Sequence, residues 1–188
     1  MKLILFCGAS GSGKTSIVHN LLENNPRLHF SVSATTRPKR ENETDGKDYY
    51  FLSVDEFKLK IKHDEFLEWE EVYPDRFYGT LKSEIRRINN NHQVAVFDVD
   101  VEGGLKIKRY FEEHLLAIFV MPPDLKTLRE RLLRRGSETD ESLARRVNKA
   151  EAEFKYASKF DHVIINDKLE DACSKAQELL DHFLMAVK

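Results

Sequence analysis

Four nearly uninterrupted apolar runs punctuate the chain: LILFC at 3–7, VAVFDV at 94–99, LLAIFVM at 115–121 and HVIIN at 162–166, with FSVSA at 30–34 as a weaker fifth. Runs this short and this apolar fit strands buried on both faces, as in a parallel sheet. Helical spacing separates most of them. Ile17, Leu21 and Leu22 share a face after the first run, and Leu125, Leu128, Leu132 and Leu133 do so after Pro122 and Pro123. The last segment repeats apolar residues at Leu169, Ala172, Cys173, Ala176, Leu179, Leu180, Phe183 and Leu184, again at helical period. The alternation predicts an α/β fold with a parallel sheet covered by helices on both faces.

Between about 35 and 91 the rhythm breaks. TTRPKRENETDGKD at 35–48 is polar and reads as loop, and YYFL suggests a short strand. Ser53 with Glu56 forms a capping box for a helix through about His63. EFLEWEEVY then reads as strand, with a turn at Pro74 and Asp75 before Tyr78 and Gly79. This is the pattern of a small insert, about 35–91, in a core formed by 1–34, 92–125 and 151–188. A second polar segment, RRGSETDES at 134–142, separates two Arg-rich helical stretches and marks a lid at about 126–150.

A length of 188 residues suits one domain with such an insert and buries a core without covalent staples. Charged residues make up 33% of the chain yet nearly cancel, to a net charge of -2, which argues against a global field for nucleic acid or an anionic membrane. Any anion site has to be a local cluster. Cys7 and Cys173 are too few and too far apart for a disulfide framework and read as buried thiols in a reducing compartment. The seven His show no zinc spacing. The apolar part of MKLILFCGAS is too short for a leader, and no run approaches the roughly 20 residues of a membrane span. A cytoplasmic protein is expected.

GASGSGKT, from Gly8 to Thr15, fits G-x-x-x-x-G-K-[ST] between a predicted strand and a predicted helix. Gly8, Gly11 and Gly13 let the backbone wind tightly, so the N–H groups of the loop, through Ala9, Ser10 and Ser12, converge on one anion. The helix N-terminus adds its positive dipole end. Lys14 reaches β- and γ-phosphates, and the Thr15 hydroxyl suits Mg²⁺. Asp98 ends a core strand at the carboxyl edge of the sheet, where it is placed to orient Mg²⁺ or its waters, and Asp100 follows two residues on.

Such a loop alone fits a GTPase, a kinase or a motor. The insert discriminates. Arg37, Lys39 and Arg40 cluster in a loop with Ser33, Thr35 and Thr36, and Tyr49 and Tyr78 flank the insert. Guanidinium and phenol groups suit an exposed phosphate. Two anion sites point to transfer between two phosphorylated molecules. Arg131, Arg134, Arg135, Arg145 and Arg146 surround the second polar segment, where a lid would bring positive charge to the transferring group and exclude water.

Together FSVSATTRPKR, NETDGKDYYFLSVDEF, EFLEWEEV, FYGT, FDVDVEGG and RRGSETDES resemble the guanylate kinases, in order and over nearly the whole chain. The resemblance implies a phosphate-loop NTPase-type parallel sheet flanked by helices, with a nucleoside-monophosphate-binding insert and a lid. It implies transfer of the γ-phosphoryl of ATP to GMP or dGMP, giving ADP and GDP, with Mg²⁺, by a monomer or homodimer that takes neither nucleic acid nor membrane as partner. By the same resemblance Arg37, Arg40, Tyr49 and Tyr78 hold the GMP phosphate, and Ser33, Glu68, Thr80 and Asp100 surround the guanine. Gly8 to Thr15 hold ATP phosphates, Arg135 and Arg146 act from the lid, Asn166 lies near the adenine, and Asp98 supports Mg²⁺.

The acid-rich stretch HDEFLEWEEV acquires a purpose in this light. Guanine presents N1–H and N2–H₂ side by side, and one carboxylate accepts both. Adenine offers a lone pair at N1 instead. Glu68 alternates with Leu67 and Trp69 along the strand and is the expected reader; Asp64, Glu65, Glu70 and Glu71 read as solvated charge. Two rival readings are a non-catalytic module of the same family that binds phosphopeptides and a related kinase acting on a sugar phosphate. Lys14, Thr15, Asp98 and the lid arginines argue against the first, Glu68 and Asp100 against the second.

Overall fold

In the computed structural model, which describes residues 1–134 and 140–186, the apolar runs assemble a five-stranded parallel sheet. Its strands are β1 (Leu3–Cys7), β2 (Leu28–Phe30), β7 (Val94–Val99), β8 (Leu115–Met121) and β9 (His162–Ile165), ordered β2-β7-β1-β8-β9. β1 is central and wholly buried, with Leu3 opposite both Ala95 and Leu115. Alternate residues face opposite layers. Ile4 and Phe6 pack under α1 (Lys14–Asn24) and α7 (Leu169–Met185). Leu3, Leu5 and Cys7 pack under α3 (Lys82–Asn90) and α4 (Val101–Phe111). Both cysteines are free and buried.

A second, four-stranded sheet carries the insert: β3 (Ala34–Thr35), β4 (Tyr50–Phe51), β5 (Phe66–Tyr73) and β6 (Arg76–Leu81), ordered β4-β3-β6-β5. Asp75 takes a left-handed φ of 58° in the β5–β6 turn. The predicted helix is α2 (Val54–Lys62), with both halves of the Ser53–Glu56 capping box formed. Phe57 stacks between Phe66 and Phe77, at ring-centroid distances of 4.2 and 5.3 Å, and closes a small separate core.

Three elements depart from the pattern-based expectation. FSVSA is not one strand: the chain runs with β7 through Phe30, leaves the core sheet, and pairs with β6 from Ala34. The carboxylate of Glu84, on α3, takes the Val32 N–H at 3.1 Å where the chain changes sheets. Helix α3, inside the stretch assigned to the insert, packs on the core sheet through Ile85 and Ile88. Helix α4 forms despite a Gly-Gly pair because those glycines are needed for packing. A Cβ on Gly104 would lie 2.9 Å from Cys7 Sγ. The lid region holds α5 (Leu125–Arg134) and α6 (Asp140–Phe154), joined to the core through Ala9, Leu128, Leu132, Leu143 and Ala150. Arg135 lies outside the described residues. Among the described residues no helix is long and apolar enough to cross a membrane.

Candidate active site

The loop after β1 is held from behind. Gly8 has φ +138, and a Cβ there would sit 2.2 Å from the Val120 carbonyl oxygen. A Cβ on Gly13 would meet Asn166 Nδ2 at 2.1 Å. Asn166 is buried, and its amide donates to the Ser12 carbonyl at 2.8 Å, so its side chain braces the loop. Ala9 and Ser12 are buried in the loop's underside, while Ser10 is exposed on top. Lys14 Nζ donates to the carbonyls of Gly8 (2.7 Å) and Ala9 (3.2 Å) and lies 4.0 Å from Asp98 Oδ1. Thr15 Oγ1 donates to Asp98 Oδ2 at 2.6 Å. A hydroxyl and a carboxylate so placed at a helix N-terminus are hard oxygen donors of the kind Mg²⁺ takes alongside phosphates.

These groups line a cavity of about 330 Å³ that also receives Arg146, Lys149 and Glu153 from α6. Arg146 approaches Ser10 Oγ at 3.5 Å. Lys149 and Glu153, absent from the expected site, follow Arg146 at helical spacing, which is the signal that points to them. Lys149 Nζ stands 3.7 Å from Glu153 Oε1. Burial raises the Glu153 pKa, with Lys149 opposing and the Asp100 charge adding to the rise.

A second cavity of about 250 Å³ adjoins the first, and the two share Tyr49, Asp98, Val99 and Asp100. Ser33, Glu68 and Tyr78 line it, together with Glu70. Glu68 is 9% exposed and Thr80 1%, and Thr80 Oγ1 donates to Glu68 Oε1 at 2.7 Å. Burial pushes the Glu68 pKa up, the Thr80 hydrogen bond holds it down, and the Asp100 charge adds to the rise. Asp100 caps α4, with its Oδ1 accepting from the Gly103 N–H at 2.9 Å. Glu70 corrects the reading of this stretch as one reader among solvated acids: it is only part-exposed and turns into the cavity.

The arginines of the insert are placed unequally. Arg37 lies over the Tyr49 ring, 4.8 Å from its centroid, and the Tyr49 and Tyr78 rings meet edge-on at 6.1 Å. Its guanidinium makes a two-pronged pair with Glu43, one prong at 2.6 Å. The hydrogen bonds from Arg37 hold the Glu43 carboxyl down at about 2. The Arg40 backbone N–H also donates to Glu43, at 2.8 Å, while its side chain is exposed, and neither the Arg37 nor the Arg40 side chain joins the wall of either cavity. Glu43 thus occupies the forked donor geometry that a phosphate would use.

The family model for guanylate kinase matches residues 1–183. The chain is 50% identical to a guanylate kinase of Bacteroides fragilis over 97% of its own length and 90% of the relative's. The chain belongs to the guanylate kinase family. A guanylate kinase of Porphyromonas gingivalis is 44% identical, covering 97% of this chain and 98% of that one. Among solved structures, guanylate kinase from Anaplasma phagocytophilum superposes with a TM-score of 0.78 at 27% identity, over 99% of this chain and 87% of that one. Shikimate kinase from Bacteroides thetaiotaomicron, at 14% identity and a TM-score of 0.53 over 96% of this chain, shares the fold. Membership accounts for the pair of adjoining cavities: one is built around a phosphate loop, the other around carboxylates.

Proposed function

We propose that the chain transfers the γ-phosphoryl group of ATP to GMP, and to dGMP, giving ADP and GDP. The observation that carries this reading is the junction of the two cavities at Tyr49, Asp98 and Asp100. A phosphoryl donor on the loop and a nucleoside monophosphate in the insert meet there. The loop from Gly8 to Thr15 cradles the donor's phosphates, and Lys14 swings from its carbonyl partners to the β- and γ-oxygens. Arg37, Tyr49 and Tyr78 receive the GMP phosphate, with Arg37 exchanging Glu43 for it, and Arg40 joins from the same loop. Ser33, Glu68, Thr80 and Asp100 take the guanine. Arg146 and Arg135 neutralise the transferring group from the lid. Asn166 acts through the loop it braces. Mg²⁺ would be held by Thr15, with Asp98 through water, and supplies charge neutralisation at the β- and γ-phosphates.

The attacking oxygen belongs to a phosphate that is already anionic, so alignment and charge neutralisation carry the rate and no strong base is required. A cytoplasmic setting goes with substrates of this kind. The phosphopeptide-module reading is disfavoured by the intact loop, and the sugar-phosphate reading by the buried Glu68. The test is purified protein with MgATP against a panel of nucleoside monophosphates and sugar phosphates, following ADP. GMP and dGMP should be preferred. Lys14→Ala should lower kcat by roughly a hundredfold or more, as loss of a charge on the transferring group does, with GMP binding retained. Near-normal turnover in the folded variant would refute the assignment.

A further inference from the structure

Tyr49 and Tyr50 are neighbours in the chain but serve different surroundings, as alternation along an extended segment allows. Tyr49 lines both cavities and carries the Arg37 guanidinium over its ring. Tyr50, the first residue of β4, lines neither; its ring packs on the small core around Phe57, and its hydroxyl donates to Glu84 Oε2 at 2.9 Å. Glu84 belongs to α3, which packs on the core sheet through Ile85 and Ile88. Its carboxylate is buried, and the two-pronged pair with Arg87, three residues on in the same helix, fixes its orientation. It also accepts the Val32 N–H at 3.1 Å. Two of its partners thus stand one residue from a cavity residue: Val32 before Ser33, and Tyr50 after Tyr49. The Tyr50 N–H closes the arrangement by donating to the Ser33 carbonyl at 2.9 Å.

Strand β4 needs such an anchor. It is two residues long, Tyr50–Phe51, and lies at the edge of the second sheet with β3 as its one neighbour. Few backbone hydrogen bonds hold a strand this short, and a long polar loop leads into it. A phenol donating to an ionised carboxylate makes a charge-assisted bond, stronger than a neutral one. Glu84 is itself fixed to a core helix, so the bond refers the position of β4 to the core rather than to the loop. We propose that Tyr50 is a positioning residue for the phosphoryl acceptor: its bond to Glu84 moors β4 and so holds Tyr49, with Arg37 on its ring, where the phosphate of GMP arrives. The guanine end of the cavity is built differently. Glu68 and Thr80 stand on β5 and β6, away from β4, so the mooring acts on the phosphate and not on the base. The proposal rests on the GMP kinase reading above and adds to it the residue that fixes the phosphate end of the acceptor site.

The test measures kcat and KM for GMP and for ATP in the wild type and in Tyr50→Phe, with guanosine as a competitive inhibitor against GMP. Phenylalanine keeps the ring on the small core and removes only the hydroxyl, and Glu84 keeps Val32 and Arg87. KM for GMP should rise about five- to tenfold, the size of one hydrogen bond. The kcat and the KM for ATP should stay within about twofold of wild type, the pattern of weakened acceptor binding alone. Guanosine has the base and no phosphate, so its inhibition constant should also stay within about twofold. In a Glu84→Ala background the same substitution should add less than about twofold, because the mooring is already gone. An unchanged KM for GMP, an equal loss of GMP and guanosine, a fall in kcat at constant KM, or the full cost persisting in Glu84→Ala would each overturn the proposal. Wild-type protein that fails to phosphorylate GMP would instead overturn the kinase reading, and this proposal with it.

Discussion

At the scale of single residues, Glu68 carries the clearest division of labour. One of its oxygens is engaged by Thr80, and its burial leaves little water to replace a lost partner. If Glu68 reads guanine as proposed, Glu68→Gln preserves shape but turns an acceptor into an NH₂ donor facing a guanine donor. A hydrogen bond to a charged group contributes roughly 1.5–3 kcal/mol, so kcat/KM for GMP should fall about ten- to a hundredfold. AMP efficiency should hold, because adenine never makes that bond, and paired assays on one folded variant read the ratio. The sequence exposes this residue because a strand alternates and guanine chemistry asks for a carboxylate. It hides Glu70 and Glu43. A run of acids on a half-exposed strand looks like solvated charge until α4 is packed against it, and a Glu six residues from Arg37 in a polar loop has no periodicity to mark it.

At the scale of elements, α3 joins the two sheets through one side chain. Glu84 is 2% exposed; it accepts from the Val32 N–H (3.1 Å), the Tyr50 hydroxyl (2.9 Å) and, in two prongs of 2.9 Å, the Arg87 guanidinium. Burial raises its pKa, but these bonds together outweigh burial and leave it below the ordinary value of 4.5. A depressed carboxylate stabilises the fold fully above its unfolded pKa and loses that contribution as pH falls through the folded one. Glu84→Ala strands the Val32 N–H in the interior, which should cost about 1–3 kcal/mol in denaturant unfolding near neutral pH. The gap to wild type should narrow in acid; a gap independent of pH would remove the ionised carboxylate from the account. Helix α3 escapes the sequence pattern because Ile85 and Ile88 are its whole buried apolar stripe. Helix α4 escapes it because glycine disfavours helices, and only the approach of Cys7 and Glu68 reveals why Gly103 and Gly104 are there. Strands β1, β7 and β8, by contrast, are legible at sight, since burial on both faces leaves almost no polar position within them, whereas β9, expected to be buried on both faces, is an edge strand with Val163 and Ile165 exposed.

At the scale of the molecule, the phosphate loop belongs to the core between β1 and α1, while the second sheet and the helices α5 and α6 are segments that interrupt that core along the chain. Bringing both phosphates into line draws these segments toward β1 and β7. Addition of GMP with a non-hydrolysable ATP analogue should therefore reduce the radius of gyration in solution scattering by more than either ligand alone. An unchanged radius with both bound would count against closure. The FSVSA segment, divided between the two sheets, is the least legible part of this architecture. Its five residues read as one strand, and the point of division is set by Glu84, more than fifty residues away in the chain.

The central position of β1 has a consequence for synthesis. The strand is synthesised before both of its neighbours, which follow about ninety and more than a hundred residues later, with Leu3 pairing to Ala95 and Leu115. The phosphate loop waits longer still. Gly8 packs against the Val120 carbonyl, and the brace on Ser12 comes from Asn166. Non-local pairing of this kind delays structure until the distant partners exist. A nascent or prematurely terminated chain carries the whole GASGSGKT motif without the walls that shape it. A loop shaped to hold ATP phosphates is accordingly something the polypeptide gains only after Asn166 has been made.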